Sequence, residues 1–157
     1  MAGLRIAWNR VKDITVRAAE KMPEENYGFQ PTPEVKTFAQ FVGHLADSNY
    51  MMAGMVLGEK PPASEAEKTK KTKAELVAAL RDSVAYMDRA FALGDAEVGK
   101  PVKFFGMDAT KFTIVGIAIG HGFEHYGNMV TYMRMKGLVP PSSEPRLAAP
   151  APAAEKK

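Results

Sequence analysis

The chain has 157 residues, of which 46% are hydrophobic and 25% are charged, and its net charge at pH 7 is +3. This length and composition predict one globular domain with its own core, and the balanced charge gives no reason to expect a nucleic-acid partner. The chain contains no cysteine. Disulfides, Cys-ligated metal centres and a protein thiolate nucleophile are therefore excluded, and any thiol in the chemistry must come from another molecule.

Two helices are predicted in the first third of the chain. Apolar residues recur in steps of four and three over residues 4–22, and this pattern ends before Pro23. A proline-rich loop follows, and Thr37 and Gln40 then form the capping box that begins a second helix over residues 37–57. The inward stripe of the second helix consists of Phe41, His44, Leu45, Ser48, Met52 and Met55.

Two more helices are predicted in the rest of the chain. The lysine-rich segment EKPPASEAEKTKKTK is interpreted as a solvated connector rather than a nucleic-acid-binding patch, because no aromatic residues interleave its lysines. Thr72 and Glu75 repeat the capping box and begin a third helix. Residues 95–109 are predicted to be an irregular crossover without a sheet, and a fourth helix is predicted over residues 110–136.

Four amphipathic helices with polar connectors predict an all-α protein, a four-helix bundle over residues 1–141. Residues 142–157 are rich in proline and alanine and are predicted to form a flexible tail. The N-terminal residues lack the apolar core of a secretion signal, and no segment approaches the ~18 apolar residues of a membrane helix. A cytoplasmic location without membrane association is therefore expected.

All three histidines are predicted to face the inside of the bundle. His121 and His125 are one helical turn apart on the fourth helix, and His44 lies on the stripe of the second. A buried imidazole without a partner costs a few kcal/mol, and one shared cation would satisfy all three rings. Three imidazoles without a fourth protein ligand are typical of a catalytic metal site with an open position. The stripe of the fourth helix consists of Ile114, Ile117, Ala118, His121, His125, Asn128, Met129, Tyr132 and Met135.

Sequence alone leaves another interpretation of the histidines open. They could be core residues hydrogen-bonded to Tyr50, Tyr132 or a backbone carbonyl. A zinc-protease motif is disfavoured, because Gly122 stands where that motif has glutamate directly after its first histidine. A ferritin-like di-iron site is a poor match, because the first and third helices offer no inward glutamates.

Two stretches resemble the DinB/YfiT-like family of small four-helix metalloproteins. Residues 8–50 resemble the family's opening helix, its F-x-P-x-P connector and its H-x-A-D helix, and residues 120–141 resemble its ending, which begins H-x3-H and closes with K-G-x-x-P-P. The resemblance implies an up-down-down-up bundle, a homodimer, and a divalent metal held by His44, His121 and His125. Asn128 departs from the usual glutamine of the family, and Tyr126 departs from an arginine found in many members.

The resemblance also implies a function. Some relatives transfer bacillithiol or mycothiol, so the leading hypothesis is a metal-dependent transferase that joins a low-molecular-weight thiol to an electrophilic small molecule. A metal-dependent hydrolase and a non-catalytic, stress-related metal-binding dimer are the alternatives. Imidazole suits zinc, nickel, copper and iron, of which zinc and nickel lead. Asp47, one turn beyond His44, and Asn128 are the candidate catalytic residues. The methionines that either line an apolar substrate pocket or fill the core are Met51, Met52, Met55, Met107 and Met129.

Overall fold

The structure is a computed structural model that describes residues 1–145. Within these residues, four long helices form the bundle, and two short helices and a two-stranded hairpin lie in the connections between them. No helix in this range combines the length and apolar character needed to cross a membrane. The helices are α1 Ala2–Lys21, α2 Phe38–Leu57, α3 Ala66–Thr69, α4 Lys73–Phe91, α5 Asp95–Val98 and α6 Lys111–Met135, and the strands are β1 Pro101–Phe104 and β2 Met107–Thr110.

The long helices follow an up-down-down-up course. α1 and α2 each pack against both α4 and α6, so α1 and α2 lie diagonally opposite one another. α2 and α4 run in the same direction, because Asn49 contacts Ser83 while Glu59, further along, contacts Arg89. α6 runs antiparallel to α2, because the hydroxyl of Tyr132, near the end of α6, donates to the carbonyl of Lys36, just before α2 begins. The predicted four-helix bundle is confirmed.

Both predicted capping boxes are present. The Thr37 hydroxyl accepts a hydrogen bond from the Gln40 amide at 3.2 Å, and the Gln40 side chain accepts one from the Thr37 amide at 2.8 Å. Thr72 and Glu75 make the same reciprocal pair at the start of α4. Each box satisfies two backbone donors that the first helical turn leaves free, and the first box fixes the start of the helix that carries His44.

We expect Thr37→Ala to lower the free energy of unfolding by about 1 kcal/mol, because the Gln40 amide loses its acceptor at the start of α2. Urea denaturation followed by circular dichroism measures this change. Thr131→Ala is the matched control, because Thr131 is exposed inside α6, where alanine has the higher helix propensity. Equal stabilities of the two variants would contradict the prediction.

Within residues 1–145 the core consists of two apolar clusters, one at each end of the bundle. On α6, apolar residues up to Ile119 belong to one cluster, and those from Tyr126 onward belong to the other. His121 and His125 lie between the two clusters. The buried polar side chains fall at this same level on the other helices, so a polar layer crosses the bundle between its two apolar ends. These side chains are Thr15, Ser48, Asn49 and Ser83.

The predicted inward stripe of the fourth helix is wrong at two residues, which are exposed. The side chain of Ile117 is 38% exposed and that of Met135 is 57% exposed. Ile117 lies at the edge of the stripe, on the side where α6 is open to solvent, and Met135 is the last residue of the helix. The apolar stripe of α6 is therefore narrower than the sequence pattern indicates.

The prediction that residues 95–109 contain no sheet is also wrong. β1 and β2 pair in antiparallel fashion, with Val102 opposite Ala109. The two residues of the turn between them, Phe105 and Gly106, have φ values of 48° and 83°, as a type I′ turn requires. Such turns are usually signalled by Asn-Gly or Asp-Gly, and phenylalanine at positive φ is rare, so the sequence carried a weak hairpin signal.

The segment after α6 folds back over α1 and α6. The Ser142 amide donates to the Tyr126 hydroxyl at 2.8 Å, and the Glu144 carboxylate pairs with both Arg17 and Lys21 of α1. Ser142 belongs to a 3-10 turn over Pro141–Ser143, and Glu144 follows this turn directly. The rest of the predicted tail, residues 146–157, lies outside the described residues.

Candidate metal centre

α2 and α6 bring the three histidines of the chain together. The Nε2 atom of His121 lies 3.2 Å from His44 Nε2 and 3.0 Å from His125 Nε2. One ligand nitrogen from each ring lies within 4.8 Å of the other two. The rings converge as the helical spacing predicts, while their part as metal ligands stays a prediction.

The spacing of these nitrogens fits a divalent cation. Metal–nitrogen bonds of about 2.0–2.1 Å in a tetrahedral arrangement place the nitrogens about 3.4 Å apart. The two Nε2–Nε2 distances of 3.0 and 3.2 Å are within a few tenths of an ångström of this value. Three imidazoles are also a donor set that zinc and nickel accept, so the residues present fit such an ion.

Two of the rings are held in the form that binds metals. Burial lowers the pKa of His121, and the neighbouring His44 ring lowers it further. Burial and the two other rings lower the pKa of His125 to about 4. Both rings are therefore neutral near pH 7, and a metal-binding histidine must be neutral.

The hydrogen bonding of the rings does not match ordinary core histidines. His121 Nδ1 is buried without a hydrogen-bond partner among residues 1–145, which costs about 1–3 kcal/mol. Neither of the two tyrosines that could have been partners is hydrogen-bonded to a histidine ring within residues 1–145. The Tyr132 hydroxyl donates to the Lys36 carbonyl at 2.7 Å, and the Tyr50 ring packs against the Tyr86 ring. The interpretation as tyrosine-bonded core residues therefore loses its support.

A glutamate from the connector between α2 and α4 also reaches this site. Glu67, on α3, places Oε2 3.1 Å from His44 Nδ1, and its Oε1 pairs with Lys36. Burial alone would raise the pKa of Glu67, but hydrogen bonds from Lys36 and His44 outweigh burial and lower it. The sequence did not indicate this residue, because Glu67 lies in the polar, lysine-rich segment predicted to be a solvated connector.

The carboxylate of Asp47 binds the connector. Its Oδ1 accepts hydrogen bonds from the Ala66 amide at 2.8 Å and from the Ser64 hydroxyl, and its Oδ2 accepts one from the Glu67 amide at 3.1 Å. Asp47 thus fastens the start of α3 to α2 one helical turn beyond His44. A catalytic part for Asp47 stays a prediction.

Asn128 lies at the outer nitrogen of His125. Its Nδ2 is 3.4 Å from His125 Nδ1, the ring nitrogen that faces away from His121. An amide turned by 180° would present its oxygen to a protonated Nδ1, and that is the state a histidine needs when Nε2 is the ligand. Asn128 is thus placed to orient a ring, and its predicted catalytic role is untested.

A cavity of about 470 Å³ runs along α2 between Asp47 and Gly58, and none of the three histidines lines it. Asp47 lies at the end nearer to His44 in the sequence of α2, and Met51 and Met55 line the wall. Of the other methionines named for such a pocket, Met52 and Met129 are buried in the core, and Met107 of β2 is exposed. The cavity is open to solvent and large enough for a small organic molecule.

Known proteins share this bundle. The uncharacterised protein YjoA of Bacillus subtilis is 23% identical over 137 residues, which cover 80% of this chain and 84% of YjoA. The crystal structure of a DinB-like protein from Bacillus cereus superposes with a TM-score of 0.79 at 16% identity, covering 90% of this chain and 95% of that one. YfiT of Bacillus subtilis, described as a probable metal-dependent hydrolase with an unusual four-helix bundle topology, gives a TM-score of 0.67 at 18% identity over 88% of each chain.

The two solved structures are less than 20% identical in sequence to this chain, so their similarity shows only a shared fold. The family is established by the sequence itself. The sequence model of the DinB superfamily matches residues 7–129, a range that contains all three histidines. With most of the bundle inside that match, the chain belongs to the DinB superfamily.

Proposed function

We propose that this protein is an enzyme that depends on a divalent metal ion held by His44, His121 and His125. One observation carries the proposal: three imidazole Nε2 atoms from two helices face one another, at 3.0 and 3.2 Å, at a polar level of the bundle. YfiT, described as a probable metal-dependent hydrolase, has the same bundle and supports metal chemistry for this fold. Zinc and nickel are the leading ions.

The residues of the chain would bind the ion and leave room for a reactant. When bound, a divalent cation supplies Lewis acidity that lowers the pKa of a coordinated water or thiol. Three histidines would hold such an ion and would leave a coordination position for an external molecule. The His44 side chain is 30% exposed, so the site is open to small molecules from solvent. Because the chain has no cysteine, a sulfur nucleophile would come from a second substrate.

The first candidate reaction is the transfer of a low-molecular-weight thiol to an electrophilic small molecule. A sulfur–carbon bond forms, the leaving group departs from that carbon, and the thiol proton passes to solvent. The cavity lined by Met51 and Met55 offers an apolar surface for the electrophile. Some members of the family that the sequence resembles transfer such thiols, and this supports the candidate.

The second candidate reaction is hydrolysis at the same three histidines. The description of YfiT as a probable metal-dependent hydrolase favours it. Water would take the place of the thiol, and the bond cleaved would be an ester or amide of a small molecule. The two candidates differ in the nucleophile and in the bond that is broken, so assays with and without thiol separate them.

The experiment measures both reactions on the protein loaded with zinc or nickel. Conjugation of 1-chloro-2,4-dinitrobenzene is assayed with several low-molecular-weight thiols, and cleavage of nitrophenyl esters and anilides is assayed without thiol. We expect metal-dependent conjugation that is lost in His125→Ala and retained in the control Thr131→Ala. Ester or anilide cleavage without thiol would support the hydrolase, and metal binding without either reaction would support a non-catalytic metal-binding protein. A protein that binds neither ion would overturn the proposal.

Two further predictions accompany the proposed function. A homodimer is implied by the family resemblance, and a cytoplasmic location is expected from the sequence. Sedimentation of the metal-loaded protein tests the first, and fractionation of the source cells tests the second. Both stay predictions.

A further inference from the structure

We infer that Glu67 is a positioning residue, which fixes the ring of His44 so that Nε2 is free to bind the metal. This inference rests on the proposed metal centre. Glu67 Oε2 lies 3.1 Å from His44 Nδ1. A carboxylate only accepts hydrogen bonds, so Nδ1 must carry the proton and donate it. Nε2, which lies 3.2 Å from His121 Nε2, then keeps its lone pair for a cation.

The carboxylate of Glu67 is itself held in place. Lys36, just before α2, pairs with Oε1, and this leaves Oε2 directed at the histidine. The Glu67 side chain is 22% exposed, so the hydrogen bond to His44 is partly shielded from competing water. The carboxylate therefore has two fixed partners, one on each oxygen.

The backbone that carries Glu67 is fixed by Asp47. α3 has only four residues, too few to be stable as an isolated helix. The Asp47 carboxylate accepts from the Ala66 and Glu67 amides, at 2.8 and 3.1 Å, and from the Ser64 hydroxyl. His44 and Asp47 lie one turn apart on α2, so the ring and the clamp for its partner share one rigid helix.

A glycine permits this arrangement. A Cβ atom added to Gly43 would lie 2.5 Å from Glu67 Cα and 2.6 Å from Glu67 N, distances that Cβ atoms in proteins essentially never show. α3 therefore approaches α2 closely because residue 43 has no side chain. Gly43, His44 and Asp47 act together with Glu67, and the segment first interpreted as a solvated connector contributes to the site.

The chemical consequence is tighter metal binding at His44. A hydrogen-bonded carboxylate selects the tautomer, orients the ring and makes the coordinating nitrogen more basic. Loss of such an outer partner typically lowers metal affinity about 10–100-fold. The effect falls on the affinity for the ion, and it is measurable without any substrate.

The test compares binding of Zn²⁺ and Co²⁺ to the full chain and to variants of Glu67, Glu65 and His125, by chelator competition and by the visible absorption of bound Co²⁺. We expect Glu67→Ala to lower the affinity about 10–100-fold and to shift the Co²⁺ spectrum. Glu67→Gln keeps an acceptor oxygen and should lose less. Glu65→Ala is the matched control, because Glu65 is on the same connector with 68% of its side chain exposed and pairs only distantly with Lys68.

The outcomes separate this inference from the proposed function. Thermal denaturation in the presence of a chelator shows which variants are folded. If Glu67→Ala does not fold, the comparison is made with Glu67→Gln. If the folded Glu67 variants keep their affinity and their Co²⁺ spectrum while His125→Ala loses binding, the positioning role of Glu67 is overturned. The proposed metal centre is then retained. No binding in the unsubstituted protein would overturn both.

Discussion

Replacing His121 with leucine should abolish tight metal binding and, in the absence of metal, leave the protein as stable as before or more stable. His121 is the central one of the three rings. Its loss should lower the metal affinity by more than the about 100-fold expected when a residue hydrogen-bonded to a ligand is lost. The metal-free protein, in contrast, loses a buried Nδ1 that has no partner among the described residues. Removal of an unsatisfied buried polar group should raise the free energy of unfolding by about 1 kcal/mol.

Calorimetric titration with Zn²⁺ measures the first effect, and urea denaturation with a chelator present measures the second. Phe123→Leu is the control, because Phe123 lies two residues along the same helix and is 40% exposed. It should change neither quantity appreciably. A metal-free His121→Leu protein that is less stable by more than about 1 kcal/mol would show that the ring serves the packing of the bundle. These opposite signs distinguish a functional residue from a structural one.

The helices and the meeting of the histidines could be predicted because both depend on local patterns. Apolar spacing marks which face of a helix is buried, and the capping residues Thr37 and Thr72 mark where α2 and α4 begin. His44 and His121 lie on inward faces, and antiparallel packing of α2 and α6 then brings them to the same level. Each step uses information carried by residues a few positions apart.

Glu67 could not be predicted in this way, because its part depends on contacts between distant residues. In the sequence it is one charged residue among many in a polar segment. Its position comes from Asp47, twenty residues earlier, and from the space left by Gly43. The motif H-x-A-D contains Asp47 but not the residues that it binds. Only the folded connector shows that this aspartate anchors a second carboxylate at the histidines.

The hairpin and the edge of the α6 stripe were missed for different physical reasons. Phe105 takes a left-handed conformation that its side chain disfavours, so the turn lacks the usual signal. Ile117 continues the apolar spacing of its helix but remains 38% exposed. Spacing indicates which residues could be buried, whereas the neighbouring helices decide how wide the buried face becomes.

Gly43→Ala should destabilise the protein and weaken metal binding, because both effects follow from a displacement of α3 away from α2. The new methyl group would overlap the backbone of Glu67, with Cα at 2.5 Å, and backbone cannot move aside as a flexible side chain can. α3 must therefore shift away from α2, at a cost of about 1–3 kcal/mol in the free energy of unfolding. The shift also separates Glu67 from His44, so the affinity for Zn²⁺ should fall as it does in Glu67→Ala.

Urea denaturation and Zn²⁺ titration measure the two effects on the same preparation. Gly116→Ala is the matched control, because Gly116 lies inside α6 and a Cβ there meets nothing within 4 Å. This control should bind Zn²⁺ normally and gain up to about 1 kcal/mol from the higher helix propensity of alanine. In the double variant of Gly43 and Glu67, the affinity should fall no further than in Glu67→Ala alone, because both changes break the same hydrogen bond. Additive losses would mean that Gly43 acts on the histidines by another route.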